Sequence, residues 1–482
     1  MIGRSISCKN QGRYVTAELY IIQSYIDHGS DAWINLGAFA NGPIFHHSHK
    51  TTNLKTKPLF KTFCTRLSWT PPLSASGKST TCIAFILIAV YLWILPVDRS
   101  IALRHLAFFP LILLTLWSAW RHRLRLHLPL ATPWLVYGSI ALFSVTYAAD
   151  PLQSLGEAKA EIGYGILALM LTATWVRNIV SLERLMILVV VGDALLVGSA
   201  LFKVIVLDPF WNYPISEIND LLYNGPGKRL YNGVGNFSTY LITVMPLIAV
   251  YAFSRPKEQR VWRGALLSLV ALNILALFLT GNRMGLFVLL AIIVLPMGFL
   301  LLKAGDCGIN IRKILPVTLI TLIVAGSLTF VTMQERPASS DIRREIWNWA
   351  IADIRAAPLT GSGFGRTTLC LKDPKFCQKF RLEHGHNMVL NKGIQMGLPG
   401  IAAFLFLLGM TLHALWPGHI SGSNKRLWSY ALGATIMSIG VFFKNMTDDF
   451  FVQHNALLYW ALVGAVLGTL AGEREEKTQN DE

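Results

Sequence analysis

Long uninterrupted apolar runs constrain this chain more than any other feature. A run of about 18 to 25 such residues crosses a hydrocarbon core as a helix, because backbone groups in lipid must be satisfied within the segment. About twelve runs meet that length. They lie near Thr81 to Val97, Ile101 to Trp120, Leu130 to Ala148, Glu161 to Ile179, Leu185 to Leu207 and Gly235 to Phe253. The others lie near Trp262 to Leu279, Met284 to Leu302, Ile314 to Thr332, Met388 to Trp416, Leu427 to Lys444 and His454 to Ala471. With 53% hydrophobic and 15% charged residues, the expected fold is all-α and polytopic.

A formal charge of +16 would suggest nucleic acid in a soluble protein, so the distribution of charge decides its meaning. Arg121 to Arg125, the pair Arg177 and Arg184, Arg255 to Arg263, Lys303 with Arg312 and Lys313, and Lys425-Arg426 fall in every second loop. That alternation is the positive-inside pattern, which places both termini in the cytoplasm and makes nucleic acid an unneeded partner. The loop after the third helix carries Asp150, Glu157 and Glu161, in keeping with the opposite side.

Residues 1–79 are polar, with no run long enough to span. They read as a cytoplasmic extension, either disordered or produced by a start codon upstream of the native one, since the next methionine is Met170. His46-His47-Ser48-His49 reads as a flexible cluster, and Ser76-Gly77-Lys78-Ser79 is no phosphate-binding loop, because Pro72 replaces the first glycine. Residues 80–472 form the membrane domain and 473–482 a cytoplasmic tail.

Two extracytoplasmic loops, Asp208 to Val234 and Met333 to Gly385, are long enough to hold function. The second carries Arg336, Arg343, Arg344, Arg355, Arg366 and Arg381 against the topological bias, as an anionic ligand would require. It also holds Cys370 and Cys377, which are either bridged or two free thiols. Gly281-Asn282-Arg283 is a tight turn in which Arg283 opens a helix; freed amides and a forked guanidinium there make a diphosphate site or a snorkelling arginine. Asp341 to Ala350 reads as a short amphipathic helix beside the membrane, and Pro358 to Gly365 as a glycine-rich turn. At the loop's end His386 precedes Asn387, a good N-cap, so an imidazole stands at the mouth of the tenth membrane helix, with His384 as its competitor. Asp448-Asp449 either binds Mg2+ or orients arginines and caps the twelfth helix.

Taken together, these parts resemble the O-antigen ligase and polymerase superfamily from Thr81 to Gly472. The resemblance rests on the helix order, the Gly281-Asn282-Arg283 turn, and the large loop between the ninth and tenth helices. It rests also on Arg343 four residues before Trp347, the Pro358 to Gly365 turn, and His386-Asn387 followed by Leu390, Gly397 and Gly400. Lys444 to Phe451 looks more like the ligases than the polymerases.

The resemblance implies a GT-C type glycosyltransferase of the bacterial inner membrane. Such an enzyme joins O-antigen polysaccharide from undecaprenyl diphosphate to lipid A-core on the periplasmic face, with inversion and without metal, cofactor or nucleotide sugar. It implies that Arg283 and Arg343 hold the diphosphate and that His386 activates or aligns the acceptor hydroxyl. Arg344, Arg366, Asn387, Lys159 and Arg229 are further candidates for substrate binding. The rival readings are a polymerase, a protein O-oligosaccharyltransferase, or a transporter of the same lipid-linked glycan. A transporter would need charges at mid-membrane, where the sequence offers Asp193 and Lys203.

Overall fold

The computed structural model describes residues 75–97, 100–207, 209–212, 233–282, 284–289, 338–366, 374–380, 384–420 and 424–481. Arg229 and Arg283, like Cys370 and the whole extension before residue 75, lie outside them. Every regular element among the described residues is helical. In chain order they are α1 (Ala75–Ile94), α2 (Ile101–His122), α3 (Ala131–Val145), α4 (Pro151–Ala158), α5 (Tyr164–Trp175), α6 (Ile179–Phe202) and α7 (Val234–Ser254). They continue with α8 (Arg260–Leu279), α9 (Ala338–Ala356), α10 (Pro374–Phe380), α11 (Met388–Leu415), α12 (Lys425–Lys444) and α13 (Gln453–Asp481).

Seven of these helices are long and apolar enough to cross a membrane, and two shorter apolar helices, 80–94 and 131–145, accompany them. The chain is therefore a multi-pass membrane protein. Of the expected runs, Ile314 to Thr332 and most of Met284 to Leu302 lie outside the described residues. The run expected from Glu161 to Ile179 is interrupted. It starts as a π-helical turn, Lys159–Gly163, and α5 ends at Trp175.

Asparagine and aspartate start several helices by accepting amides that the first turn leaves free. Asp150 accepts Gln153 N (3.0 Å), Asn178 accepts Ser181 N (2.9 Å) and Asn424 accepts Leu427 N (3.1 Å).

The tightest crossing pairs α5 with α13, and small residues explain it. Gly464, Gly468 and Gly472 recur every fourth residue on α13 and face Leu169, Ala173 and Arg177, which recur at the same interval. A methyl group added at those glycines would lie 2.3, 2.4 and 1.9 Å from the facing carbonyl oxygens. In lipid, helices associate through such close backbone approach, since apolar side chains gain little by leaving one hydrocarbon medium for another.

α11 is broken at Gly397, whose φ of 66° is open to glycine at low cost. Pro399 has no amide to give Gln395, and Leu398 N turns instead to Pro358 O (2.7 Å). The glycine-rich turn fills the gap, Ser362 N donating to Ile394 O (2.8 Å) and Gly363 N to Gln395 O (3.0 Å). Gly361 (φ 69°) allows this approach, because a Cβ there would meet the α11 backbone at 2.6 Å.

Candidate functional site

The polar residues of the chain's middle and end converge where α11 starts. Asn387 caps α11 through Val389 N (2.9 Å) and Leu390 N (3.0 Å), as its position before the apolar run leads one to expect. Its amide donates to Met446 O (2.8 Å), and Met388 N donates to Asn445 O (3.0 Å), which stitches the helix mouth to the segment after α12. His386, one residue before the cap, is held in the left-handed region at φ 47°. Such a backbone is uncommon outside glycine and persists where surrounding contacts fix it.

His386 Nδ1 lies 3.1 Å from Asp448 Oδ1, and Asp448 in turn pairs with the fully buried Lys444 (3.4 Å) and, more loosely, with Arg343 (3.9 Å). Burial pushes the Asp448 carboxyl up, but Lys444, the His386 hydrogen bond and Arg343 outweigh it, so Asp448 sits well below the usual carboxylate range. An ionised Asp448 assigns the Nδ1 proton of His386 and leaves Nε2 as the nitrogen that can accept one.

His384 is the poorer base. Its ring stands 4.5 Å from that of His386, and its Nε2 is buried without a hydrogen-bond partner among the described residues. Burial, followed by the charges of Arg366 and His386, lowers its pKa to about 4.

Asp449 serves the other flank. It pairs with Arg366 (2.8 Å), accepts Asn391 Nδ2, and offers its carbonyl to the same guanidinium. Asn391 Oδ1 accepts Gly385 N (2.6 Å), so one side chain links the histidine segment to Asp449. Neither aspartate caps the last helix, which starts at Gln453; both face protein cations instead.

The expected residues therefore separate. Arg343, 37% exposed and weakly paired, can turn to a ligand. Arg344 is exposed on α9, next to Arg343 in sequence. Arg366 is committed to Asp449. Lys159 is exposed at the start of the π-helical turn.

α9 turns its apolar face to the bundle: Ile346, Ala350 and Ile354 pack on Ile394 of α11, with Trp347, Trp349, Leu390 and Cys377 around them. Cys377 is disulfide-bonded, which removes the free-thiol reading for it. Lys379 of α10 pairs with Glu345 of α9.

Four participants were not read from the sequence as site residues. Glu157 Oε2 accepts Arg366 N (2.6 Å), Glu161 pairs with the buried Lys392 (2.5 Å), and Lys444 opposes Asp448. An ionisable group within an apolar helix was the available signal for the two lysines. Four cations (Arg343, Arg366, Lys392, Lys444) thus face four carboxylates (Glu157, Glu161, Asp448, Asp449), and a dianion entering here must draw Arg343 away or bring in further cations.

No curated protein matches the chain. The model of one family does match, over a stretch that runs from α8 through α9, the glycine-rich turn and His386 to the part of α11 beyond its break. That stretch, residues 266–405, fits the family described as O-antigen ligase, so this part of the chain is similar to that family.

Proposed function

We propose that the chain is an O-antigen ligase of the bacterial inner membrane, acting at the periplasmic face. It would transfer polysaccharide from undecaprenyl diphosphate to a sugar hydroxyl of lipid A-core. The observation that carries this reading is the His386–Asp448 contact at the head of α11. Asp448 fixes the imidazole so that Nε2 takes the acceptor proton, or holds the hydroxyl in line, as its oxygen attacks the anomeric carbon from the side opposite the diphosphate. That geometry inverts the anomeric centre.

The leaving diphosphate gathers negative charge as the bond breaks, and Arg343 is the guanidinium in this cluster free to meet it. Arg283, inside the matched stretch, is proposed as its companion, with Arg229 and Arg344 as further candidates for substrate binding. Arg366 and Asn387 hold the frame instead of the substrate. Asp448 and Asp449 are already opposed by Lys444, His386 and Arg366, which favours charge neutralisation by arginine over a divalent ion. Activity that EDTA abolishes and Mg2+ restores would overturn that part.

A transporter is less well supported. Asp193 is buried against Asn273 (2.7 Å), and the cleft of about 300 Å³ between α1, α6 and α7 is lined almost wholly by apolar side chains.

Deleting the gene and running lipopolysaccharide on a gel tests the assignment. Core without polymer, with polymer left on the lipid carrier, is the expected result. A single repeat on core would mean a polymerase, and normal polymer attachment would end both readings.

A further inference from the structure

The Lys392–Glu161 pair takes no part in the steps above, yet it occupies the centre of the packing around the glycine-rich turn. Lys392 Nζ donates to Glu161 Oε1 (2.5 Å) and to Gln395 Oε1 (3.4 Å), and lies 5.1 Å from the centre of the Phe364 ring. Tyr137 donates its hydroxyl to the same Glu161 oxygen (2.9 Å). A cation in the second turn of a helix opposes the helix dipole, and burying it adds a desolvation cost. Replacing such a pair by apolar side chains is often neutral or stabilising, so stability is a weak reason for its presence.

Its neighbours supply a better one. Ser154, Glu157 and Glu161 share one face of α4 and the π-helical turn that continues it. All three hold the stretch that carries Arg366 or its mount. Ser154 Oγ donates to Phe364 O (2.6 Å), Glu157 accepts Arg366 N (2.6 Å), and Glu161 grips Lys392 beside Phe364. A Cβ at Gly365 would meet the Glu157 carboxyl at 2.7 Å, so the turn lies directly on this face. Adjacent residues of α11 point to the two flanks, Asn391 toward Asp449 and Gly385, Lys392 toward Glu161 and Phe364.

We infer that Lys392 and Glu161 are positioning residues for transfer: they clamp α4 to α11 across the glycine-rich turn and so set Arg366, and through it Asp449, relative to His386. This rests on the ligase reading. No proton or bond changes hands at the pair.

The test is the neutral double variant Lys392→Met with Glu161→Gln, which keeps the packing over Phe364 and an acceptor for Tyr137. It is assayed beside wild type and His386→Ala with lipid-linked donor and lipid A-core acceptor. The expected result is a protein that inserts and melts like wild type but transfers about tenfold or more slowly at saturation, with KM little changed, since small misplacements near reacting groups are costly. Transfer at the wild-type rate would overturn the inference. If the double variant does not reach the membrane, Glu161→Asp, which keeps the charge and shortens the reach, decides on the same two outcomes. A wild type that transfers nothing, or a fully active His386→Ala, sinks the ligase reading itself. A dead His386→Ala beside a fully active double variant sinks the clamp alone.

Discussion

The two ends of α12 hold charge in different ways. Near Arg426 two acid–base pairs reach solvent, Arg426 with Glu183 (3.5 Å) and Arg177 with Glu475 (2.5 Å), while the more enclosed Arg255 meets Glu183 (2.6 Å) and lies over the Tyr251 ring. Near Lys444 the carboxylate is buried and shared, one Asp448 answering His386, Lys444 and the more exposed Arg343. Exposed pairs are screened and are worth about 0 to 1 kcal/mol. A buried pair loses far more when one member is removed, because the other is left charged without water. One end anchors the bundle, and the other gives up robustness to hold a few side chains in fixed relation.

The sharpest way to break this contrast is His386→Ala, expected to lower transfer by a factor on the order of 100 to 10,000, with insertion unchanged. Transfer assays with membranes of matched protein content would read it, and His384→Ala should do less. Lys444→Met comes next. Stranding Asp448 should destabilise the protein by about 3 to 5 kcal/mol, read as thermal unfolding in detergent.

The acid side of the stability profile gives a smaller effect. Folded, His384 holds its proton less readily (pKa about 4) than an ordinary histidine does (6.5), so its contribution is whole above pH 6.5 and is lost as pH falls toward 4. Asp448, held low, likewise contributes above the ordinary carboxylate range and loses its contribution as pH falls below it. Melting curves should show His384→Asn losing less stability than wild type between pH 6.5 and 4.5, by about 2 kcal/mol. The smallest effect belongs to Arg426→Ala, expected within about 1 kcal/mol of wild type and with normal transfer. A large loss there would erase the contrast.

Much of this was legible in the sequence, for reasons that differ by element. Apolar runs and capping asparagines are local, so the helices near residues 101, 234, 388, 425 and 453 could be read directly, as could Asn387 as a cap. The Gly464, Gly468 and Gly472 spacing is equally local, but nothing in α13 says that its partner is α5. Site partners are harder still. Glu157 and Glu161 read as markers of topology, because their meaning lies in contacts more than 200 positions away in sequence. α9 reads as an amphipathic helix from its own residues, but only the facing Ile394 shows what its apolar side covers.

The break in α11 carries a consequence for how the chain is made. Residues 358–363 leave the ribosome before residues 394–397. The amides that complete the broken helix are therefore synthesised first, and α11 has a ready complement when it arrives. A circular rearrangement that delivered α11 ahead of the glycine-rich turn would leave the carbonyls of Ile394 and Gln395 without the amides of Ser362 and Gly363 until the turn caught up.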